Sequence, residues 1–281
     1  MPQNRHGRQN PARSPGLCLI AIFSAGFIYG RGIDLVVIYF HKRLLSLRKA
    51  YRPRRIILIR HGESQGNVDH QVYATVPDSQ LELTAKGRAQ AVDAGKRLKK
   101  IIGDESLYVY LSPYRRSKET FEGIQESINK QIINIREDPR IREQEWGNFM
   151  DPEKRQHELE EREKVGSFFY RFRNGESGAD VYDRCTLFLD TIHRQLSSGY
   201  YASTGNILIV SHDIFIRLFL MRYFRWTTER HHQTRDLRNC ELCVLEVDRV
   251  SGSYVLKTEL SEKRPSIINY NQLVLDVNLK E

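Results

Sequence analysis

Arg54-Arg55-Ile56-Ile57-Leu58-Ile59-Arg60-His61-Gly62-Glu63-Ser64 is the stretch on which the fold turns. Ile56–Ile59 is a short, unbroken apolar run, the pattern of a strand buried on both faces of a sheet. The same form returns late in the chain as Ile207-Leu208-Ile209-Val210, followed by Ser211-His212-Asp213. Between and after these runs, strand-like and helix-like segments alternate. Tyr108–Leu111 and Ile132–Ile135 read as two further strands, and Cys243–Val247 and Ser253–Lys257 as two late ones flanking a Ser251-Gly252 turn. Thr84 to Ile102 reads as a helix capped by Thr84, with Ala89, Val92, Leu98 and Ile101 at near-helical spacing. Pro113–Asn129, Ala179–Leu196 and Phe215–Trp226 read as helices, and Asp151–Lys164 as a charged helix or extended loop. This alternation predicts an α/β fold: a three-layer α/β/α sandwich around a mostly parallel sheet.

With 281 residues, 40% hydrophobic and 28% charged, the chain can bury a sizeable core. That composition excludes wholesale disorder, a collagen-like repeat and a polytopic membrane protein. The formal charge of +9 is unevenly spread. Residues 1–55 hold eleven Lys/Arg and a single acid, Asp34, so the excess sits in a leader and the remainder is close to neutral. This distribution argues against a nucleic-acid partner. We divide the chain into a basic leader (1–53), a main body (54–260) and a C-terminal tail (261–281).

Within the leader, Leu17–Phe40 is mostly apolar and spans 24 residues, against the roughly 20 a membrane helix needs. Arg31 and Asp34 interrupt it, each costing roughly 2.5–3.5 kcal/mol at a helix centre. Three readings follow: a membrane anchor at 17–40, a cleaved targeting segment, or neither, a class that includes a true start near Tyr51. As an anchor, its heavier basic flank on the C-terminal side places the body in the cytoplasm. The few cysteines (Cys18, Cys185, Cys240, Cys243) and the lack of an Asn-x-Ser/Thr acceptor also lean towards a reducing compartment.

The chemistry gathers at the strand ends. Ligands of open α/β sheets bind beyond the carboxyl ends of the strands, where His61 and His212 both fall. A neutral imidazole is a competent nucleophile near pH 7. Arg60 offers a planar donor fork suited to phosphate, and Gly62 lets backbone approach an anion.

These residues resemble the histidine phosphatase superfamily, also called phosphoglycerate-mutase-like. Arg60-His61-Gly62-Glu63 with Asn67 matches its signature, and Leu83-Thr84-Ala85-Lys86-Gly87 the opening of its first helix. Ser112-Pro113-Tyr114-Arg115-Arg116 with Thr120 matches its Ser-x-x-x-Arg…Thr element, which selects Arg116 over Arg115. Glu143 ahead of Gly147, then Gly175-Glu176-Ser177 with Asp180 and Arg184, and finally Ser211-His212 complete the order. Arg142-Glu143-Gln144, Trp146-Gly147-Asn148-Phe149 and Phe168-Phe169-Tyr170-Arg171-Phe172 are most similar to the plant and fungal members. The resemblance implies that His61 is phosphorylated and that Arg60, Arg116 and His212 neutralise the transferring phosphoryl group. It further implies that Asn67 helps hold the phosphate and that Glu143 is general acid and base, with a pKa raised towards operating pH. It implies no metal and no cofactor, because the arginines supply the positive charge.

Other features read as structural. Glu145 competes with Glu143 as the acid. Asp180 and Arg184 fit a helical i, i+4 pair. Cys240-x-x-Cys243 with His231 and His232 fits no complete zinc site. Lys154, Arg155, Arg162 and Lys164 alternate with acids, as on a solvated helix. Arg171 and Arg173, among aromatics, are candidates for contact with an acidic substrate. Asp213 stands where the family usually has Gly. It reads as an N-cap, or as a carboxylate that favours protonated His212 or repels phosphate. Finally, only 25 residues separate Phe149 from Gly175. The long lid of the dimeric mutases is therefore expected to be largely missing. Hydrolysis of a small phosphorylated substrate is favoured over mutase activity and over a silent binding protein of the same fold.

Overall fold

The structure is a computed structural model that describes residues 37–40, 52–147 and 152–260. The chain separates into two units, 1–51 and 52–281. In the first, residues 37–40 are helical, with Val37, Ile38 and Phe40 exposed. The rest of the 17–40 span lies outside the described residues, as do Asn148, Phe149 and the tail 261–281. No helix among the described residues is long and apolar enough to cross a membrane.

The second unit is built on a six-stranded sheet: β1 (Arg55–Arg60), β2 (Leu107–Leu111), β3 (Ile132–Glu137), β4 (Asn206–Ser211), β5 (Leu242–Val247) and β6 (Tyr254–Leu256). Their spatial order is β3-β2-β4-β1-β5-β6. The first four strands run parallel, and β5 and β6 add an antiparallel edge. β1, β2 and β4 are apolar throughout their centres because helices cover both faces. On one face, Ile57, Ile59, Val109 and Val210 pack under α1 (Ala85–Ile102) and α2 (Arg115–Ile128). α3 (Pro152–Val165) follows in sequence. On the other face, Ile56, Leu58, Tyr110 and Ile209 pack against α4 (Gly178–Ser198) and α5 (Asp213–Phe224). This is the α/β/α sandwich that the alternation predicts.

Local signals explain most boundaries. Thr84 caps α1 by accepting from the Gly87 N–H. Ser177 and Asp180 form a reciprocal capping box at the start of α4, and Gly199 closes its end in the left-handed conformation. Asp180 is therefore a cap and not the i, i+4 partner of Arg184. α5 begins at Asp213, two residues earlier than the apolar run suggests, with His212 as its N-cap. Cys240 and Cys243 fall in the cores on opposite faces of the sheet, so they cannot share a metal ion.

Candidate active site

β1 and β4 are adjacent parallel strands with Arg60 level with Ser211. The two histidines therefore leave the sheet side by side. The His61 N–H donates to the Ser211 carbonyl at 3.0 Å, and the two imidazole rings lie 5.2 Å apart. A cavity of about 290 Å3 opens over this strand end, and Arg60, His61, Asn67, Arg116 and Glu143 all line it.

The loop carrying His61 is pressed onto α1. A Cβ on Gly62 would come within 2.6 Å of the Gly87 carbonyl oxygen, and one on Gly87 within 2.0 Å of the Glu63 oxygen. Gly62 is thus needed for packing against a helix start. Its N–H donates to Thr120 Oγ1 at 2.9 Å, and that hydroxyl donates to the Arg116 carbonyl. The matched threonine therefore ties the His61 loop to the helix that carries the pocket arginine.

His61 is 2% exposed, and its Nδ1 lies 2.7 Å from the Gly62 carbonyl oxygen. A carbonyl can only accept, so Nδ1 carries the proton and the lone pair is on Nε2. Arg116 Nε donates to that Nε2 at 3.2 Å. Burial, then the neighbouring Arg116 charge, push the imidazole well below its usual pKa. It is neutral at pH 7. Arg116 is itself held by the Asp78 carboxylate (2.8 Å) and carbonyl (2.7 Å), and lies 3.5 Å from Glu143.

Glu143 sits between Arg116 and His212. Its carboxylate is 3.3 Å from His212 Nδ1. Burial opposes its ionisation, but His212 and Arg116 outweigh that and hold it well below the usual carboxylate range. This corrects the expectation of a raised pKa: the neighbouring His212 and Arg116 decide. Burial lowers His212 to about 4, with Glu143 pulling the other way. His212 is fully buried behind the cavity wall, and its Nε2 lies 2.8 Å from Ser112 Oγ. Glu145 instead lines an adjacent cavity of about 430 Å3, with Asp78 and Tyr114. Glu143 thus shares a cavity with His61, and Glu145 does not line it.

Other placements follow. Asn67 Oδ1 accepts from the Ser64 N–H and from Asn239. Arg60 donates to the Leu237 carbonyl. Asp213 accepts from the Leu237 N–H and pairs with Arg217 at 2.9 Å. It is neither an N-cap nor a partner of His212. Arg171 pairs with Asp180, and Arg173 lies 4.0 Å from Glu158; neither lines the cavity.

Three residues escape the sequence reading. Asp78 carries no local signal. Arg184 donates to the carbonyls of Arg140, Arg142 and Glu143 and pairs with Glu176, so it brackets the loop that presents Glu143. Arg162 departs from its solvated run. It lines the cavity and stacks over Trp146 at 5.3 Å. With Leu159 and Ser167 it forms one wall, so the short segment after Phe149 does cover part of the site.

The donor atoms of His61, Glu143 and His212 lie within 4.8 Å of one another, the spacing of a metal-ligand set. The Arg116 guanidinium, in contact with both His61 and Glu143, opposes a cation there. A charged clamp around a neutral imidazole with a carboxyl group at hand is suited to transfer of an anionic group.

The histidine phosphatase superfamily (branch 1) profile matches residues 56–259, and the chain belongs to this family. Among curated proteins it is 41% identical to the phosphoglycerate mutase-like protein AT74H of Arabidopsis thaliana, covering 76% of this chain and 81% of that one. It is 30% identical to the broad-range acid phosphatase DET1 of Saccharomyces cerevisiae, covering 74% and 90%. Among solved structures, a mycobacterial glucosyl-3-phosphoglycerate phosphatase superposes with a TM-score of 0.56 at 22% identity, covering 74% and 99%.

Proposed function

We propose that this chain hydrolyses phosphomonoesters through a phosphohistidine on His61. The observation that carries this reading is the neutral His61 imidazole, with its Nε2 lone pair in the cavity beside Arg116. A phosphate oxygen draws the Arg116 guanidinium off Nε2 and frees it. Nε2 then attacks phosphorus and the ester P–O bond breaks. Glu143 gives its proton to the leaving oxygen. Water next attacks the phosphohistidine as Glu143 takes its proton; the P–N bond breaks and inorganic phosphate leaves. Arg60, Arg116, Asn67 and His212 balance the charge on the equatorial oxygens.

The depressed pKa of Glu143 fits this cycle. Before a substrate binds, Glu143 is ionised. Phosphate beside it offsets the Arg116 charge, raises the carboxyl pKa and lets Glu143 carry a proton to the leaving group. The name of the yeast relative favours hydrolysis. The cavity of about 290 Å3 suits a small phosphorylated molecule.

The test is trapping of an acid-labile phosphohistidine that is absent in His61→Ala. It is paired with turnover of a generic phosphomonoester without added bisphosphate. Rapid interconversion of 3- and 2-phosphoglycerate would instead favour a mutase, and no phosphoenzyme with no turnover would favour a silent scaffold.

A further inference from the structure

Arg162 is a cation in the cavity wall whose charge nothing in the phosphoryl-transfer scheme uses. Its Nε is buried without a hydrogen-bond partner, and among the described residues it forms no ion pair. Its guanidinium lies against the Trp146 ring, a contact that fixes its plane without giving Nε a hydrogen-bond acceptor. Burial, then the charge of Arg217, lower its pKa, as expected of a cation held in an unfavourable place. The neighbouring Arg217 is different. It pairs with Asp213 at 2.9 Å and Asp236 at 3.0 Å, so two carboxylates compensate it. Among the described residues Arg162 has no carboxylate at that range; Asp236 and Asp213 favour its charge only from beyond ion-pair distance. Leaving a partly buried cation unpaired is unfavourable unless something bound to the protein supplies the anion.

We infer that Arg162 receives a second anionic group of the substrate, a carboxylate or a further phosphate, while the reacting phosphate sits between His61 and Arg116. The inference rests on the phosphoryl-transfer reading above and narrows its substrate class to small phosphomonoesters bearing another negative charge. Arg162 acts as a specificity residue: its planar fork suits either group. Trp146 is the positioning residue beneath it.

Three matched probes test this: propyl phosphate, 3-phosphooxypropanoate and propane-1,3-diol bisphosphate. The expected result is kcat/KM at least tenfold higher for one of the doubly anionic compounds than for propyl phosphate. Which one is favoured tells carboxylate from phosphate. Arg162→Gln should collapse that ratio towards one, chiefly through KM, and Arg162→Lys should restore part of it. Equal kcat/KM for all three in the unaltered protein, or a preference that survives Arg162→Gln, overturns the inference. Absence of turnover with every probe would sink the hydrolase reading instead. Calorimetric binding of the same compounds then decides: tighter binding of the doubly anionic ones, lost in Arg162→Gln, supports the subsite, and equal binding overturns it.

Discussion

The Glu143 carboxylate lies 3.3 Å from Nδ1 of His212, at 69 residues' remove in the chain and beneath the same strand ends. A carboxyl group so placed reaches the cavity while Arg116 and His212 govern its proton. Glu143→Gln should lower kcat by about 10²–10⁴ for alkyl phosphates. The loss should be much smaller for p-nitrophenyl phosphate, whose leaving group departs readily as an anion. Steady-state kinetics on both substrates check this; equal losses would count against Glu143 as the proton donor.

Acidification should destabilise the empty protein in two overlapping windows. His61 and His212 are buried in neutral form, with His212 at about 4. Unfolding lets each bind a proton below its unfolded value of about 6.5. Stability therefore falls as pH drops from about 6.5 towards 4, by at most about 1.4 kcal/mol per pH unit for each histidine. Glu143 has the opposite charge but the same sign of effect. Its depressed pKa contributes stability above the ordinary carboxylate range, and that is lost as pH falls below it. Urea melts between pH 4 and 7 should show this slope, and His212→Asn should flatten it.

Gly87→Ala should be harmful although alanine favours helix. The new Cβ would sit 2.0 Å from the Glu63 carbonyl oxygen. We expect a loss of roughly 1–3 kcal/mol from the forced shift, with a fall in kcat because the displaced loop carries His61. Chemical denaturation together with kinetics reads both effects.

Arg184→Met should separate positioning from binding. Arg184 touches three carbonyls of the Glu143 loop and the Glu176 carboxylate, but does not line the cavity. Removing it takes away one of the two arginines on Glu176, which keeps Arg142 at 2.7 Å, and leaves three carbonyls of the loop without that donor, at a cost of about 1–3 kcal/mol. It should also lower kcat more than it raises KM, since the acid is misplaced while Arg60 and Arg116 remain. A purely structural role would leave kcat per folded molecule intact.

A chelator should leave turnover intact, and added zinc should not raise it. The His61, Glu143 and His212 donors are close enough for a metal, but the Arg116 charge occupies their midst. Activity lost on chelation and regained with a single metal would contradict this.

Much of the molecule is legible in the chain because its signals are local. An apolar run makes a buried strand, Thr84 caps a helix, and a histidine just past a strand must lie at the sheet's edge. Family-like motifs at those places select His61, Arg116, Glu143 and His212. The misreadings share a different origin. Arg162 looks like any cation in the charged run 154–164, because burial of one helical position depends on what packs over it. Asp180 and Arg184 have pairing spacing, yet each finds a better partner in Ser177, Arg171 or Glu176. Asp213 looks like a cap, but Arg217 and the Leu237 N–H claim its carboxylate.

The sequence by itself determined the strand and helix alternation, the two strand-end histidines and the family. Those follow from periodicity and short motifs, which act over a few residues. Only the tertiary structure decided the state of the site. Asp78 reaches Arg116 across 38 positions, and Glu143 reaches His212 across 69. The ionisation of Glu143, the neutral His61 and the unpaired charge on Arg162 depend on burial and on charges brought together by those long-range contacts. Electrostatics inside a protein depends on distance in space, which spacing along the chain does not specify.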